Sequence, residues 1–290
     1  MATVTDWLEG ARLRTLPAAL APVILGTFSA YALGSGSIPR ALLAGGLALA
    51  LQVGVNFAND YSDGVRGTDD VRTGPPRLTG GGKVSPQTVK YAAFASFGIG
   101  ALLGLVLVAL AGQWWLLAVG AAAVVAAWYY TGGSRPYGYM GLGEVFVFVF
   151  FGLVATLGTT YTQALRVDAA TWLGAAGVGL IACAILMANN IRDIPTDRQV
   201  GKKTLAVRLG QRGARVAYVA MIGVPVLLGV VAALWYPWAL LTLLLAPAVW
   251  WLSRPVLAGS SGTDLIPVLR DTGFFEIAYG LLFGLGLVLG

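Results

Sequence analysis

Nine runs of apolar residues dominate the chain, at 16–34, 41–60, 91–111, 114–131, 140–161, 171–191, 215–234, 237–253 and 272–289. Each is close to the roughly 20 residues needed to cross the hydrocarbon core of a bilayer. In lipid a backbone must satisfy its own hydrogen bonds, so runs of this kind fold as helices. The expected fold is all-α: one polytopic membrane domain over residues 1–290, with about nine transmembrane helices joined by short polar breaks. Only 11 % of the residues are charged and the mean hydropathy is +0.77, far from the quarter or so of charged residues usual in soluble domains.

The basic residues test this map, because loops on the cytoplasmic side collect Lys and Arg. All of the 19 Lys and Arg residues except Arg40 and Arg166 fall on the side of the N-terminus, which predicts a cytoplasmic N-terminus. The formal charge of +6 is then a product of topology, and nucleic-acid binding is not expected. The opening "MATVTDWLEGARLRTLP" places acids before bases and lacks a small-residue cleavage site, so the first run is expected to stay as a span and not to be a cleaved signal.

Against this apolar background the stretch "NFANDYSDGVRGTDDVRTG", residues 56–74, stands out. At 100° per residue Asn56, Asn59, Asp60 and Asp63 lie within about 60° of one helix face. The end of the sixth run repeats the pattern: Asn189, Asp193 and Asp197 follow at four-residue spacing in "NNIRDIPTDRQVGKK". Two such ends, four helices apart, predict two similar helical halves facing one another across a site. A helix cap accounts for one Asp or Asn at a terminus, not for two matching clusters.

Like charges at that spacing repel and call for a cation. The chain has no His and a single Cys, Cys183, so Cys/His zinc sites and histidine acid–base chemistry are excluded. Carboxylate and amide oxygens favour hard ions such as Mg²⁺. Bases follow each cluster: Arg66, Arg72, Arg77 and Lys83 after the first, Arg192, Arg198, Lys202 and Lys203 after the second. The glycine-rich "TGGGK" at 79–83 can bring backbone N–H groups close to an anion. Together these features suit a diphosphate held between metal and cations, on an amphiphile whose hydrocarbon tail extends among the helices. With an allylic tail, loss of diphosphate would leave a carbocation, which aromatic faces stabilise. The break between the fourth and fifth runs offers Tyr129, Tyr130, Tyr137 and Tyr139. The default role of such aromatics is an interfacial belt.

On these residues the chain resembles the UbiA-type intramembrane prenyltransferases. "NDYSD" at 59–63 looks like the start of that family's NDxxDxxxD motif, with Gly67 where its last Asp would stand and Asp69 two residues on. "DIPTDRQVGKKT" at 193–204 resembles the DxxxD motif through Asp193 and Asp197, with Lys203 as the following base. "ARLRTLPAALAPVILGT", "YTGGSRPYGYMGLGEVFVFVFFG" and "NNIRDIPTDRQVGKKTLAVRLG" are similar to the branch acting on 1,4-dihydroxy-2-naphthoate. The resemblance implies helices around a central cavity, two Mg²⁺ ions bridging a polyprenyl diphosphate, and prenylation of the naphthoate ring with loss of CO₂ and diphosphate, a step in menaquinone biosynthesis.

The expected roles follow. Metal ligands are sought among Asn56, Asn59, Asp60, Asp63, Asn189, Asp193 and Asp197, and diphosphate contacts among Arg66, Arg77, Lys83, Lys202 and Lys203. Arg135, Tyr130 and Tyr137 are placed at the acceptor. Asp60, Asp69, Asp70 and Glu144 are the carboxylates available for catalysis, since no His can take a phenolic proton. The enzyme is expected in the cell membrane with its site at the cytoplasmic face and with no obligate protein partner. Alternatives are another aromatic acceptor such as 4-hydroxybenzoate, or a cation-coupled transporter with midplane carboxylates. A CDP-alcohol phosphotransferase is disfavoured, because its DGxxAR pattern is not met: "VRG" follows Asp63–Gly64.

Overall fold

The computed structural model describes residues 2–68 and 77–290; Asp69 and Asp70 lie outside the described residues. Among these residues there is no strand. A short helix α1 (Val4–Ala11) precedes α2 (Pro17–Ala32), α3 (Ile38–Arg66), α4 (Pro86–Ala111) and α5 (Leu116–Tyr129). The next rod is α6 (Gly143–Val147), a π-helical stretch Phe148–Val154 and α7 (Ala155–Ala164). After it come α8 (Ala169–Gln199), α9 (Leu205–Ala232), a 3₁₀ segment Pro237–Leu245 running into α10 (Ala246–Leu257), and α11 (Leu265–Leu289).

Each of the nine expected spans coincides with one of these rods, but they do not all qualify as crossings. Seven are long and apolar enough, and α1 and α2 make an eighth only if the chain is followed through their 48° bend. The remaining rod, α5, has 14 residues, about 21 Å at ~1.5 Å per residue, against roughly 30 Å of hydrocarbon. The two bases left off the N-terminal side share one end of the bundle. There Arg40 donates to the carbonyl oxygens of Leu110 at 2.7 Å and Thr162 at 2.9 Å, and Arg166 to that of Leu33 at 2.8 Å.

Three apolar clusters hold the rods together, the smallest joining α2, α3 and α4 through Val23, Ala44 and Leu107. One gathers Leu25, Ile181, Met187, Tyr218, Tyr279 and Phe283 where α2, α8, α9 and α11 meet. Another joins α1, α3, α4 and the loop before α4 through Ala11, Phe57, Leu78, Val89 and Phe97. Lipid is as apolar as these side chains, so close backbone approach has to supply much of the attraction. Small residues provide it: a Cβ on Gly152 would fall 2.5 Å from the Cα of Gly179, and one on Gly280 2.9 Å from the carbonyl oxygen of Ala21.

Helices α3 and α8, the carriers of the two acid motifs, correspond closely. They have 29 and 31 residues, and each packs most extensively on the helix that follows it. Both outrun the apolar run at their C-terminal ends, so residues 59–63 and 193–197 stand on helix. Gly67 ends α3 in the left-handed region, φ 70°, a conformation that costs a β-carbon-bearing residue about 1–2 kcal/mol.

Glu276 sits wholly buried in α11, and neither carboxylate oxygen has a hydrogen-bond partner. Leaving such a group unpaired costs more than making its bond returns. Glu276→Gln keeps the volume and removes the carboxylate, so it is expected to be at least as heat-stable as the parent in detergent. A melting temperature several degrees lower would show that the carboxylate is held by a partner.

Candidate active site

The polar site lies at the C-terminal ends of α3 and α8. At its centre is Asp63, 4 % exposed. Its carboxylate accepts the Tyr139 hydroxyl and lies 3.6 Å from the Arg77 guanidinium and 3.8 Å from Lys202 Nζ. Lys202 also stands over the Tyr139 ring, 4.4 Å from its centroid, with the Arg66 guanidinium at 5.4 Å. Three chain segments far apart in sequence are knotted here: the end of α3, the loop between α5 and α6, and the turn after α8.

Local structure explains the knot. Gly201, at φ 75°, turns the chain after α8, and Lys202 N–H then closes on the Asp197 carbonyl at 2.9 Å. Next, Lys203 N–H bonds the Tyr139 carbonyl at 2.8 Å, clipping the two loops edge to edge. Thr131 donates to Asn59 Oδ1 at 2.7 Å, and Arg66 donates to the carbonyls of Thr131 and Gly133. The α5–α6 loop is thereby pinned to the polar face of α3. Burial, and after it the Asp63 carboxylate, pushes the Tyr139 phenol above its ordinary range. It therefore stays a neutral O–H donor at physiological pH.

Other expected site residues are engaged elsewhere. Asp60, with no exposed surface, accepts the backbone N–H groups of Leu78 at 2.9 Å and Thr79 at 2.8 Å. In this geometry it braces the loop that carries Arg77. Asn56 donates its amide to the Ala11 carbonyl at 2.9 Å, tying α1 to α3. Lys83 is paired with Asp6 of α1, and that hydrogen-bonded carboxylate raises the lysine above its usual range. Since Lys83 is spent on α1, Lys83→Ala is expected to change turnover less than about threefold, the scale of an exposed ion pair. A loss of a hundredfold would restore it as a substrate contact.

On α8, Asp193 is held by its neighbour Arg192 through two bonds of 2.7 Å, and Asp197 is buried near the helix end. Asn189 makes one long contact of 3.5 Å, to the Ile185 carbonyl. Glu144, 5 % exposed, accepts from Asn190 at 3.0 Å. Tyr130 and Tyr137 pack edge to face at 5.5 Å, and the Tyr137 hydroxyl is taken by the Ala126 carbonyl at 2.8 Å. Arg135 and Lys203, both exposed, line an open cleft together with Tyr139.

Among the described residues, no three Asp or Glu side chains converge tightly enough to hold an ion. The donors present, carboxylates and amide oxygens with no His or thiolate beside them, nevertheless fit a hard divalent cation. Sequence reasoning grouped Tyr139 with three other tyrosines of its loop and gave it no special place. Arg192, one of the bases expected to face an anion, is instead the partner of the adjacent Asp193 carboxylate.

The comparisons agree with this architecture. The model of the UbiA prenyltransferase family matches residues 19–265. A protein of Mycobacterium tuberculosis named 1,4-dihydroxy-2-naphthoate octaprenyltransferase is 50 % identical over all of this chain and 99 % of its own length. One of the same name from Escherichia coli is 40 % identical over 98 % of this chain and 95 % of its own. A UbiA homologue from Aeropyrum pernix superposes with a TM-score of 0.71, at 18 % identity over 96 % of this chain and 98 % of its own. One from Archaeoglobus fulgidus, solved with GPP and Mg²⁺, does so with 0.67, at 15 % identity over 96 % and 99 %. This chain belongs to the UbiA prenyltransferase family.

Proposed function

We propose that the protein transfers a polyprenyl group from a polyprenyl diphosphate to 1,4-dihydroxy-2-naphthoate, releasing diphosphate and CO₂, at the cytoplasmic face of the cell membrane with the N-terminus on that side. The observation that carries this reading is the knot at Asp63, where a buried carboxylate, two cations and a tyrosine ring join both acid motifs. The names of the full-length relatives supply the acceptor.

The donor's diphosphate replaces part of Asp63's present company. Arg77 and Lys202, both in contact with Asp63, neutralise it, and the Arg66 guanidinium lies over the Tyr139 ring, 5.4 Å from its centroid. Asn59, Asp63, Asp193 and Asp197 are the residues that would hold Mg²⁺, with Asn56 and Asn189 behind them; the bound metal supplies positive charge to the leaving oxygens. As the C1–O bond breaks, its electron pair goes to the diphosphate and positive charge develops on the allylic carbon. Once Lys202 leaves the ring for the diphosphate, the Tyr139 face it uncovers is suited to that charge. The acceptor's carboxylate-bearing ring carbon attacks C1. The carbon–carboxylate bond then returns its pair to the ring as CO₂ leaves. The product is the prenylated quinol, whose oxidised form is demethylmenaquinone.

To test this, the protein in nanodiscs is given labelled polyprenyl diphosphate with either 1,4-dihydroxy-2-naphthoate or 4-hydroxybenzoate, and products are identified by mass. Prenylated naphthoquinol lacking the carboxylate, from the first mixture alone, is expected. Prenylated 4-hydroxybenzoate in its place would reassign the acceptor.

A further inference from the structure

The loops that meet behind Tyr139 line an open cleft of about 430 Å³, within the size range of small-molecule pockets. Its walls include Arg135, Tyr139, Met140, Lys203 and Arg208, and no carboxylate among the described residues. Arg208 is fixed there: Nε donates to the Lys203 carbonyl at 3.1 Å and Nη2 to the Met140 carbonyl at 2.9 Å. Gly141, at φ 78°, makes room for it, since a Cβ there would stand 2.7 Å from Arg208 Nε. Two of the guanidinium's five N–H groups are thus used to orient it, and the others remain for a ligand. Tyr139 lines the cleft and also bonds Asp63, so an anion entering here passes from solvent to the edge of the candidate active site.

We propose that this cleft captures the carboxylate of the aromatic acceptor, through Arg135, Lys203 and Arg208, before the ring moves past Tyr139 towards the donor. The proposal rests on the prenyl-transfer reading and makes it more specific. It also moves Lys203 from the diphosphate to the acceptor. A capture role fits the chemistry, because cations holding a carboxylate oppose its departure as CO₂. They belong at the mouth, where exposed charges steer an anion in, rather than at the reacting pose.

The test uses Arg135→Gln and Arg208→Gln in nanodiscs with two acceptors: 1,4-dihydroxy-2-naphthoate, and 1,4-dihydroxynaphthalene, which lacks the carboxylate and loses a ring proton in place of CO₂. Each variant is expected to raise KM for the naphthoate roughly tenfold, the scale of one charge-assisted bond. Its kcat, its KM for the donor and its KM for the carboxylate-free acceptor should stay near the parent's. The parent's preference for the naphthoate should shrink as salt shortens the Debye length from about 8 Å at physiological strength to about 3 Å at 1 M. Equal losses with both acceptors would reduce the cleft to a structural role, and a raised donor KM would give it to the diphosphate. An effect that vanishes in discs without anionic lipid would assign it to a lipid headgroup. Each of these overturns the proposal. Direct binding of the unreactive 1-hydroxy-2-naphthoate separates this failure from that of the broader reading. Binding that depends on Arg208, in a protein transferring nothing to either acceptor, would keep the anion cleft and sink the prenyl-transfer assignment.

Discussion

Asp63→Asn should lower the rate of prenyl transfer at least a thousandfold while leaving a folded protein that still binds the donor. The carboxylate is the point on which the site converges: it takes the Tyr139 hydroxyl, and it balances Arg77 at 3.6 Å and Lys202 at 3.8 Å inside the protein. Asparagine keeps the shape and an acceptor oxygen for Tyr139 but removes the charge. Breaking a buried ion pair from one side leaves its cations uncompensated, at a cost of about 3–5 kcal/mol. A bound diphosphate offsets that deficit, so donor affinity measured without metal should be retained or improve even as turnover disappears. Loss of one preorganised electrostatic group is worth about 10²–10³ in rate, and loss of a metal ligand adds to it. Turnover within tenfold of the parent would remove Asp63 from the catalytic centre. Joint loss of turnover and donor binding would leave it only a structural role.

The second large effect is expected at Tyr139. Its ring lies beneath Lys202 and Arg66, and its hydroxyl reaches Asp63. If the ring face stabilises the allylic cation, Tyr139→Ala should cost roughly a hundredfold in kcat with donor KM little changed. Tyr139→Phe, which keeps the face and loses the hydroxyl, should cost about tenfold or less; cation–π contacts of about 2 kcal/mol or more once desolvated account for the difference. Were the phenylalanine variant as slow as the alanine variant, the hydroxyl's hold on Asp63, not the ring, would be what matters.

The helical architecture was legible in the sequence because the bilayer imposes a length and a composition on any span. Helix ends were less so. Both α3 and α8 run past their apolar segments, and it is this extension that sets Asp63 and Asp197 on rigid helix. In the opposite direction, α5 is helical but short, because an apolar run fixes composition without fixing where the backbone turns out of line. The acid stripes were readable from spacing, which placed Asn59 and Asp63 on one face. What spacing could not reveal is which side chains are already engaged. Asp60 meets the Leu78 and Thr79 amides, from a loop 18 residues away, where Asp63 meets Tyr139, Arg77 and Lys202. The spacing of Lys83 in its glycine-rich loop does not disclose the Asp6 carboxylate that the fold brings to it. Arg208 left no local signal, because its place in the cleft arises only when the loops on either side of Tyr139 and Lys203 meet.

The account stands or falls on coupling between the two leaving groups. With carboxyl-labelled 1,4-dihydroxy-2-naphthoate and a polyprenyl diphosphate, released CO₂ and released diphosphate can be counted in the same reaction, with Mg²⁺ and with excess chelator. One CO₂ per diphosphate, both dependent on Mg²⁺ and both absent in Asp63→Asn, is the predicted result. Diphosphate released without CO₂, or equal release of both under chelator, would contradict it.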